Sequence, residues 1–264
     1  MRFLKWVVSI GGICRRKIIE NVSKITLKLF IILAKKIYLF KIYYMKKILF
    51  LLIVLLLTTS CITKVPLSSD YWNKPSKVGL LVKVGPPMKY KEGAQGLLDM
   101  AVTSGDKYKE ALDLIGRKIH PKEEMVTLYT NILKSKGKEP VLINEDFDPK
   151  TAIKFKGEKV NGKEYATYDF SNYKAKYGID ELLFVNLDFG FMISYYGMIE
   201  TGKTAYSGIT TQIIDLNDQH LILSNPNTKQ EILKRWKDNN YEASINGVRT
   251  VLDKIKEDES NILK

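Results

Sequence analysis

The strongest structural signal in the chain is an alternation of apolar and polar residues that begins at Leu183. The odd-numbered positions are apolar as far as Ile193, and Asn186 and Asp188 stand between them. A period of two residues over this length is typical of a β-strand that turns one face toward a core. The apolar positions are Leu183, Val185, Leu187, Phe189, Phe191 and Ile193. We therefore expect a long central strand here, with Val185 and Leu187 among the core residues.

Other stretches have strand patterns as well. A continuous apolar run such as Val78–Val84 is typical of a strand buried on both faces, and Asn161-Gly162 is a favoured two-residue hairpin turn. The predicted strands and hairpins cover 78–84, 140–144, 154–169 as one hairpin, and 205–216 with 220–224 as another.

Helical patterns alternate with these strands. Apolar residues recur at helical spacing in 106–119, in a helix that begins at Pro121, and in a last helix that begins near Tyr241. A further helix is predicted to start at Thr228, because Thr228 and Glu231 have the spacing of a capping box. Together these elements predict an α/β (α+β) fold, a mixed sheet with a buried central strand and a long hairpin, with helices packed on it. We expect one domain over 78–258 and a charged tail over 259–264.

The stretch Met45–Cys61, MKKILFLLIVLLLTTSC, has the pattern of a secretory signal. Lys46 and Lys47 precede ten uninterrupted apolar residues, and an apolar region of about 7–15 residues is usual in a signal peptide. The run is too short to span a membrane, which takes about 20 residues. It resembles the type II signal of bacterial lipoproteins, with Thr58 where that family usually has leucine. The resemblance implies a signal peptide over 45–60 and lipidation, as with palmitate, at Cys61.

Two alternatives apply to this region. An ordinary signal peptide cut nearby would leave Cys61 as a free thiol. The 44 residues before Met45 fit no targeting class, and we interpret 1–44 as an extension from an upstream start codon. The alternative for 1–44 is a basic helix on the membrane surface. Residues 61–77 contain Pro66 and Pro75 and no periodic pattern, so we expect them to be a tether.

The positive charge of the chain lies almost wholly ahead of the exported part. The net charge is +13, and residues 1–47 hold 12 Lys and Arg against the single acidic residue Glu20, which gives +11. Residues 61–264 hold 30 basic and 28 acidic residues, which gives +2. A strongly basic surface is what attracts nucleic acid. We therefore expect no nucleic-acid partner for the exported domain.

The cysteines agree with an exported, lipidated protein. Cys14 and Cys61 are the two in the chain. If Cys61 is lipidated, the domain has no disulfide and folds on its core alone, for which its length is sufficient. The residue after Cys61 is Ile62 and not the aspartate that retains some lipoproteins at the inner membrane. This favours the periplasmic face of the outer membrane.

The order of elements around Tyr177-Gly178-Ile179-Asp180 carries a further resemblance. A helix, this "YGID" turn, a long strand and a hairpin around IIDLNDQHLILSN follow one another. The pattern is similar to small envelope lipoproteins of the curli-secretion and penicillin-binding-protein-activator kind. That resemblance implies a compact α/β domain that works by binding other proteins. It implies no functional residue.

One motif suggests acyl-enzyme chemistry. Ser104-Gly105-Asp106-Lys107 matches S-x-x-K, in which a lysine one helical turn later draws the serine proton. That chemistry also needs a K-T-G, and Thr201-Gly202-Lys203 runs in the opposite order. A glycine after the serine also suits a turn better than the start of a helix. We therefore predict no serine acyl-enzyme.

The sequence likewise contains little support for a metal site or a cofactor site. Asp146 and Asp148 follow a strand, as a metal-binding D-x-D would, but a polar loop after a strand is the commoner reason for such a pair. Asp215, Asn217 and Asp218 are favoured turn residues. His120 and His220, the only histidines, lack a second histidine or a cysteine at ligand spacing. We predict no metal, no cofactor and no catalytic residue.

The functional prediction is a lipid-anchored envelope lipoprotein whose domain is a binding or accessory protein of envelope assembly, with a protein partner. The alternative is an envelope hydrolase whose acids and bases meet only in the fold. A deep pocket with convergent polar groups would favour the hydrolase, and a shallow apolar surface would favour the binding protein. The sequence leaves the oligomeric state open.

Overall fold

The computed structural model describes residues 64–160 and 162–263. The chain divides into two compact units, Met1–Cys61 and Ile62–Lys264, and the described residues belong to the second. The predicted extension 1–44, the signal peptide 45–60 and the lipidation site Cys61 lie outside the described residues. Within the described ranges, no helix has the length and apolar character needed to cross a membrane.

One mixed sheet organises the described domain. Its strands are β1 (Lys77–Val84), β2 (Met88–Ala94), β3 (Glu139–Leu142), β4 (Glu181–Tyr196), β5 (Ile199–Asp215) and β6 (Leu221–Ile232). The order is β3-β1-β4-β5-β6. β1 is parallel to β3 and to β4, whereas β5 is antiparallel to both β4 and β6. β2 is parallel to β4 as well, and it pairs with the half of β4 that β1 leaves unpaired.

The helices of the described domain are α1 (Leu97–Val102), α2 (Lys109–Lys118), α3 (Pro121–Ser135), α4 (Ser171–Tyr177) and α5 (Asp238–Ile262), and a short 3-10 helix, Ser69–Asn73, precedes β1. Three of these five helices, α2, α3 and α5, cover one face of the sheet. The buried residues of α2, α3 and α5 form one core cluster with the odd-numbered residues of β4. A second, smaller cluster on the opposite face joins Phe170 and Tyr173 to Leu182 and Phe184 of β4. The predicted α/β class with a mixed sheet is confirmed.

The central strand is buried as the alternation predicts. Val185 and Leu187 are both 0% exposed and lie in the larger core cluster. At the start of β4 the even-numbered residues are buried too, because the smaller cluster covers Leu182 and Phe184. Farther along, Asn186 and Asp188 are only half-buried. The polar residues of the alternation therefore begin where the second cluster ends.

The helix predicted from Thr228 is wrong, because β6 extends through that stretch. Thr228 pairs with Gly208 and Ile232 pairs with Thr204 of β5. A ladder of backbone hydrogen bonds to a long neighbouring strand outweighs a local capping pattern, which is a weak preference by comparison. Trp236, a few residues beyond β6, is buried in the loop that leads to α5.

The hairpin predicted over 154–169 is also wrong as a regular element. In the described part of this segment, Lys154 forms an isolated bridge with Tyr168, and Tyr165 forms another with His220. Charged residues are frequent on both sides of the turn, so the few apolar contacts of this segment do not extend these bridges into regular strands.

Both ends of the described chain are more ordered than the sequence suggests. Within the predicted tether, Val65 bridges Ser224 of β6, and Leu67, Tyr71 and Trp72 pack against the core. At the other end, α5 includes residues 259–262, where the sequence predicted a tail. In both segments a few apolar or hydrogen-bonding side chains supply contacts that composition alone does not show.

Candidate binding surface

Several exposed apolar residues lie where β4 turns into β5 and in the helix α1 beside that turn. Leu97 and Leu98 of α1 are 85% and 71% exposed, and Tyr196 and Ile199 at the turn are 74% and 67% exposed. We call this set the tip surface, and its members are Leu97, Leu98, Met100, Val102, Tyr196, Met198 and Ile199. Single exposed apolar residues are ordinary on a protein, but several at one end of a sheet mark an interaction surface.

Two glycines let β2 approach the far half of β4. Gly190 has a φ of +140°, and a Cβ built there would lie 2.1 Å from the carbonyl oxygen of Met88. Gly93 has a φ of +102°, and its Cβ would lie 2.1 Å from the carbonyl oxygen of Tyr195. Side chains at either position would separate the strands. These glycines thus position β2, and with it the helix that follows.

Lysines of β2 hold the C-terminal end of α1. Lys91 Nζ donates to the carbonyl oxygen of Met100 at 3.2 Å and to Thr103 Oγ1 at 2.9 Å. Lys89 Nζ donates to the carbonyl oxygens of Thr103 and Gly105 at 2.9 and 3.1 Å. Cations stabilise the carbonyl end of a helix. Partial burial, and next the charge of Lys91, lower the pKa of Lys89.

The N-terminal end of α1 is fixed to the hairpin. Gln95 Nε2 donates to the carbonyl oxygen of Gly197 at 3.0 Å, and the Gly197 N–H donates to the carbonyl oxygen of Ala94 at 3.0 Å. The Gly96 N–H donates to Asp99 Oδ2 at 2.9 Å, which caps the helix. None of the six residues of α1 is buried. A helix this short is unstable alone. These polar contacts therefore hold α1 in place, and they do so without burying its apolar side chains.

Charges beside the tip surface are paired with one another. Glu200 accepts from Lys107 Nζ at 2.7 Å and lies 2.8 Å from Lys203 Nζ. Desolvation disfavours the ionised form of Glu200, but the hydrogen bonds from Lys107 and Lys203 outweigh it and lower its pKa to about 2. Glu200 therefore offsets part of the positive charge of Lys107 and Lys203 beside the apolar side chains.

Two open clefts lie elsewhere on the domain. One of about 370 Å³ is lined by the segments 146–153 and 169–173, and one of about 480 Å³ by the segments 153–158 and 216–219. In the first cleft, Asp148 accepts from the Lys150 N–H and Asp169 accepts from the Ser171 N–H, both at 2.9 Å. These are turn contacts, in which an aspartate caps its own loop. The D-x-D pair Asp146 and Asp148 thus lines a loop cleft.

The two residues of the S-x-x-K motif have different partners. Ser104 Oγ donates to the carbonyl oxygen of Ala101 at 2.6 Å, and Lys107 Nζ contacts Glu200. A general base must lie within hydrogen-bond reach of the hydroxyl that it activates. In this arrangement both groups serve local structure beside the tip surface.

The structure brings together three residues that the sequence treats separately. Ligand atoms of Asp215, Asp218 and His220 lie within 4.8 Å of one another. Asp218 also contacts Lys163 Nζ at 3.0 Å, and Asp215 Oδ1 accepts from the Asn217 N–H at 2.8 Å. Desolvation raises the pKa of Asp218, but the hydrogen bonds from His220 outweigh this effect and lower that pKa to about 2. Lys163 thus already pairs with Asp218, and turn contacts account for the positions of Asp215 and Asp218.

The other histidine, His120, is exposed and directly precedes α3. Pro121 opens that helix, as its sequence pattern predicts. The lipidation site Cys61 lies outside the described residues, so its role stays a prediction.

Comparisons with known proteins leave the family open. No protein-family model and no curated protein matches the sequence. Among solved structures, lipoprotein GNA1162 from Neisseria meningitidis is similar at 12% identity, with 69% of this chain and 99% of that chain covered and a TM-score of 0.30. Protein XCC0632 from Xanthomonas campestris is similar at 9% identity, with 76% and 91% covered and a TM-score of 0.34.

A third similar structure is the PelC dodecamer from Paraburkholderia phytofirmans. Its identity is 11%, 72% of this chain and 91% of that chain are covered, and the TM-score is 0.25. TM-scores this low do not establish a shared fold, and they assign no function to this chain.

The tip surface is not apparent from the sequence pattern. Leu97-Leu98-Asp99-Met100-Ala101-Val102 is a short apolar run, and such a run is more often buried. Its exposure depends on the parallel pairing of β2 with β4, which the glycines at 93 and 190 allow. The available signal was an apolar run shorter than two helical turns, next to a strand rich in lysine.

Proposed function

We propose that this protein is an envelope lipoprotein, anchored through lipid on Cys61, whose domain binds a protein partner through the tip surface. The observation that carries the proposal is the exposure of Leu97, Leu98, Tyr196 and Ile199 at one end of the sheet. Burying one such side chain contributes about 1.5–3 kcal/mol, so a handful of them supports a stable complex.

A protein partner fits this surface better than a polysaccharide of the envelope. Polysaccharides are bound by aromatic platforms surrounded by hydrogen-bonding groups, and the tip surface is mainly aliphatic, with Tyr196 as its one aromatic residue. The neighbouring cations Lys107 and Lys203 are already paired with Glu200. The interaction we expect is therefore apolar and insensitive to salt.

A binding role is also favoured over the hydrolase alternative. The clefts are open, and two of the aspartates that line the first one, Asp148 and Asp169, cap their own loops. A hydrolytic site needs a nucleophile or activated water, a base and a group that stabilises charge around one point. The residues of the first cleft do not form that arrangement. Export to the periplasmic face of the outer membrane rests on the signal pattern and on Ile62 after Cys61.

Site-specific photo-cross-linking in cells tests the proposal. A photoreactive residue is placed at position 98 of the tip surface and, as a matched control, at position 153. Ile153 is 74% exposed, close to the 71% of Leu98, but it lies at the clefts. We expect a discrete protein adduct from position 98 and none from position 153. Equal adducts from both positions, or none from position 98, would contradict the proposal.

Substitutions test the same surface without a cross-linker. Leu98→Asp and Ile199→Asp place a charge in the contact and should each weaken recovery of the partner roughly tenfold or more. Ile153→Asp is the control and should leave recovery unchanged. All three positions are exposed, so the melting temperatures should remain close to that of the parent.

A further inference from the structure

A glutamate occupies a core position near the end of α5. The apolar stripe of this helix includes Ile245, Val248, Leu252 and Ile255, and the next residue on the same face is Glu259. Glu259 is 0% exposed. Charged residues are almost never buried in this way unless they are paired with an opposite charge.

Three oxygen atoms form a closed triangle around this carboxyl group. The Tyr129 hydroxyl oxygen lies 2.9 Å from Glu259 Oε2 and 3.0 Å from Thr211 Oγ1. Thr211 Oγ1 lies 2.7 Å from the same Oε2. Asn225 Nδ2 donates to the other carboxyl oxygen, Oε1, at 3.1 Å. The partners come from α3, β5 and β6, and each of them is at most 1% exposed.

Counting protons shows what the triangle requires. Each of its three contacts needs one hydrogen between two oxygen atoms, and each hydroxyl group supplies one. The third hydrogen has to come from Glu259. If the carboxyl group were ionised, two oxygen atoms 3.0 Å or less apart would face each other with lone pairs only.

The surrounding charges also favour the protonated state of Glu259. Nearby cations are paired elsewhere, Lys229 with Asp258 at 2.6 Å and Lys256 with Glu124 at 2.6 Å. No ion pair recorded in the described part of the chain includes Glu259. Burial raises the pKa of Glu259, the three hydrogen bonds oppose that shift, and the charge of Asp258 adds to it.

We propose that the folded domain binds a proton at Glu259, and that this neutral carboxyl group latches the last turns of α5 to α3 and the sheet. Protonation keeps all contacts of the triangle satisfied. Ionisation leaves one of them without a hydrogen and places an unpaired charge in the core. The end of α5 is then the element that separates from the sheet as the pH rises.

The pH dependence follows from linkage. A raised pKa in the folded state gives stability that is complete below the unfolded pKa of about 4.3. That stability is lost as the pH rises through the folded pKa. Between the two pKa values, each pH unit lowers the folding constant of the parent about tenfold relative to Glu259→Gln, which has no proton to release.

Infrared spectroscopy of the purified lipoprotein tests the proton directly. Difference spectra between unlabelled protein and protein with isotope-labelled glutamate isolate glutamyl carboxyl bands, so the ester groups of the lipid cancel. At neutral pH we expect one carboxylic-acid band in the native parent, and heat unfolding should remove it. The band should be missing in Glu259→Gln and present in the control Glu200→Gln, whose glutamate has a pKa of about 2.

Two results would overturn the proposal. One is the absence of a carboxylic-acid band from the native parent at neutral pH. This measurement needs no variant, so it tests the proposal even if Glu259→Gln fails to fold. The other is a parent and a Glu259→Gln variant whose unfolding free energies run parallel from pH about 5 to about 9, since linkage requires them to diverge.

Discussion

The hydroxyl group of Tyr71 donates a 2.6 Å hydrogen bond to Glu181 Oε2, and so ties the segment before β1 to the first residue of the central strand. Ser76 Oγ donates to the same oxygen at 3.1 Å. Lys138 Nζ lies over the Tyr71 ring, 3.9 Å from its centroid. Residues 69–76 therefore belong to the folded domain, and the part of the predicted tether left free is correspondingly shorter.

Replacing Tyr71 by phenylalanine tests this attachment. A hydrogen bond to a charged group contributes about 1.5–3 kcal/mol, and leaving Glu181 with one donor fewer lowers stability by a similar amount. We expect Tyr71→Phe to unfold at lower urea concentration and to be cut faster by protease within 64–76. Tyr196→Phe is the control, because Tyr196 is 74% exposed. Identical urea midpoints for the two variants would contradict the role of the Tyr71 hydroxyl group.

Glu200 gives the domain an acid-sensitive component. Desolvation opposes its ionisation, but Lys107 and Lys203 lower its pKa to about 2. A lowered folded-state pKa gives stability that is present above the unfolded value of about 4.3 and is lost as the pH falls toward 2. After allowance for solvent screening, the contribution is about 1 kcal/mol.

The measurement is the unfolding free energy of Glu200→Gln and of the parent between about pH 2 and 7. We expect the variant to be less stable near neutral pH and the difference to disappear at the acid end. Glu257→Gln, at an exposed position of α5, should follow the parent throughout. A difference that grows toward low pH would show that Glu200 is not held in its ionised form.

The core of β4 is the most sensitive part of the fold. Val185 and Leu187 are both 0% exposed, and a buried unpaired carboxylate destabilises a domain by several kcal/mol. We expect Val185→Asp and Leu187→Asp to abolish cooperative thermal unfolding measured by circular dichroism. Asn186→Asp is the matched control, because Asn186 faces the other side and accepts from Lys83 Nζ at 3.0 Å. A Val185→Asp protein that melts with the parent would refute this core position.

The difference between β4 and β2 shows how far the sequence predicts this fold. β4 alternates between buried apolar residues and less buried ones, so its period is visible in the sequence. β2, Met-Lys-Tyr-Lys-Glu-Gly-Ala, has no buried residue and no apolar face. Its pairing is set by glycines that admit another backbone, and a single sequence does not show which backbone that is. Edge strands with polar residues are therefore the elements that sequence patterns miss.

The prediction for the second half of β6 was wrong for a different reason. Thr228 and Glu231 have helical capping spacing, but β5 extends to Ile199 and offers a full ladder of partners. A tertiary partner decides between two local preferences of similar strength. The tip surface could not be predicted from the sequence either, because the exposure of Leu97 and Leu98 depends on where β2 and the hairpin end. Glu259 was missed as well, because we expected residues 259–264 to be a charged tail, whereas α5 continues to Ile262.

The last prediction concerns the anchor. If Cys61 is the lipidated residue, Cys61→Ala stops acylation and the cleavage that depends on it. Each buried methylene of an acyl chain contributes about 0.8 kcal/mol, a single chain is marginal, and two or more make the attachment stable. Residues 61–264 carry a net charge of only +2, so they add little attraction to anionic lipid. Attachment of the parent should therefore survive high salt and yield to detergent.

Labelled palmitate and the mass of the mature protein provide the measurement. We expect the parent to incorporate label and to begin at residue 61, and the Cys61→Ala protein to do neither. If residues 1–44 are translated, Cys14→Ala is the matched control, since it removes the other cysteine of the chain and should leave labelling unchanged. A parent without label, or a soluble mature form that begins elsewhere, would reject the lipoprotein interpretation. The proposed envelope location would then lose its basis, while the apolar tip surface would still call for a binding partner.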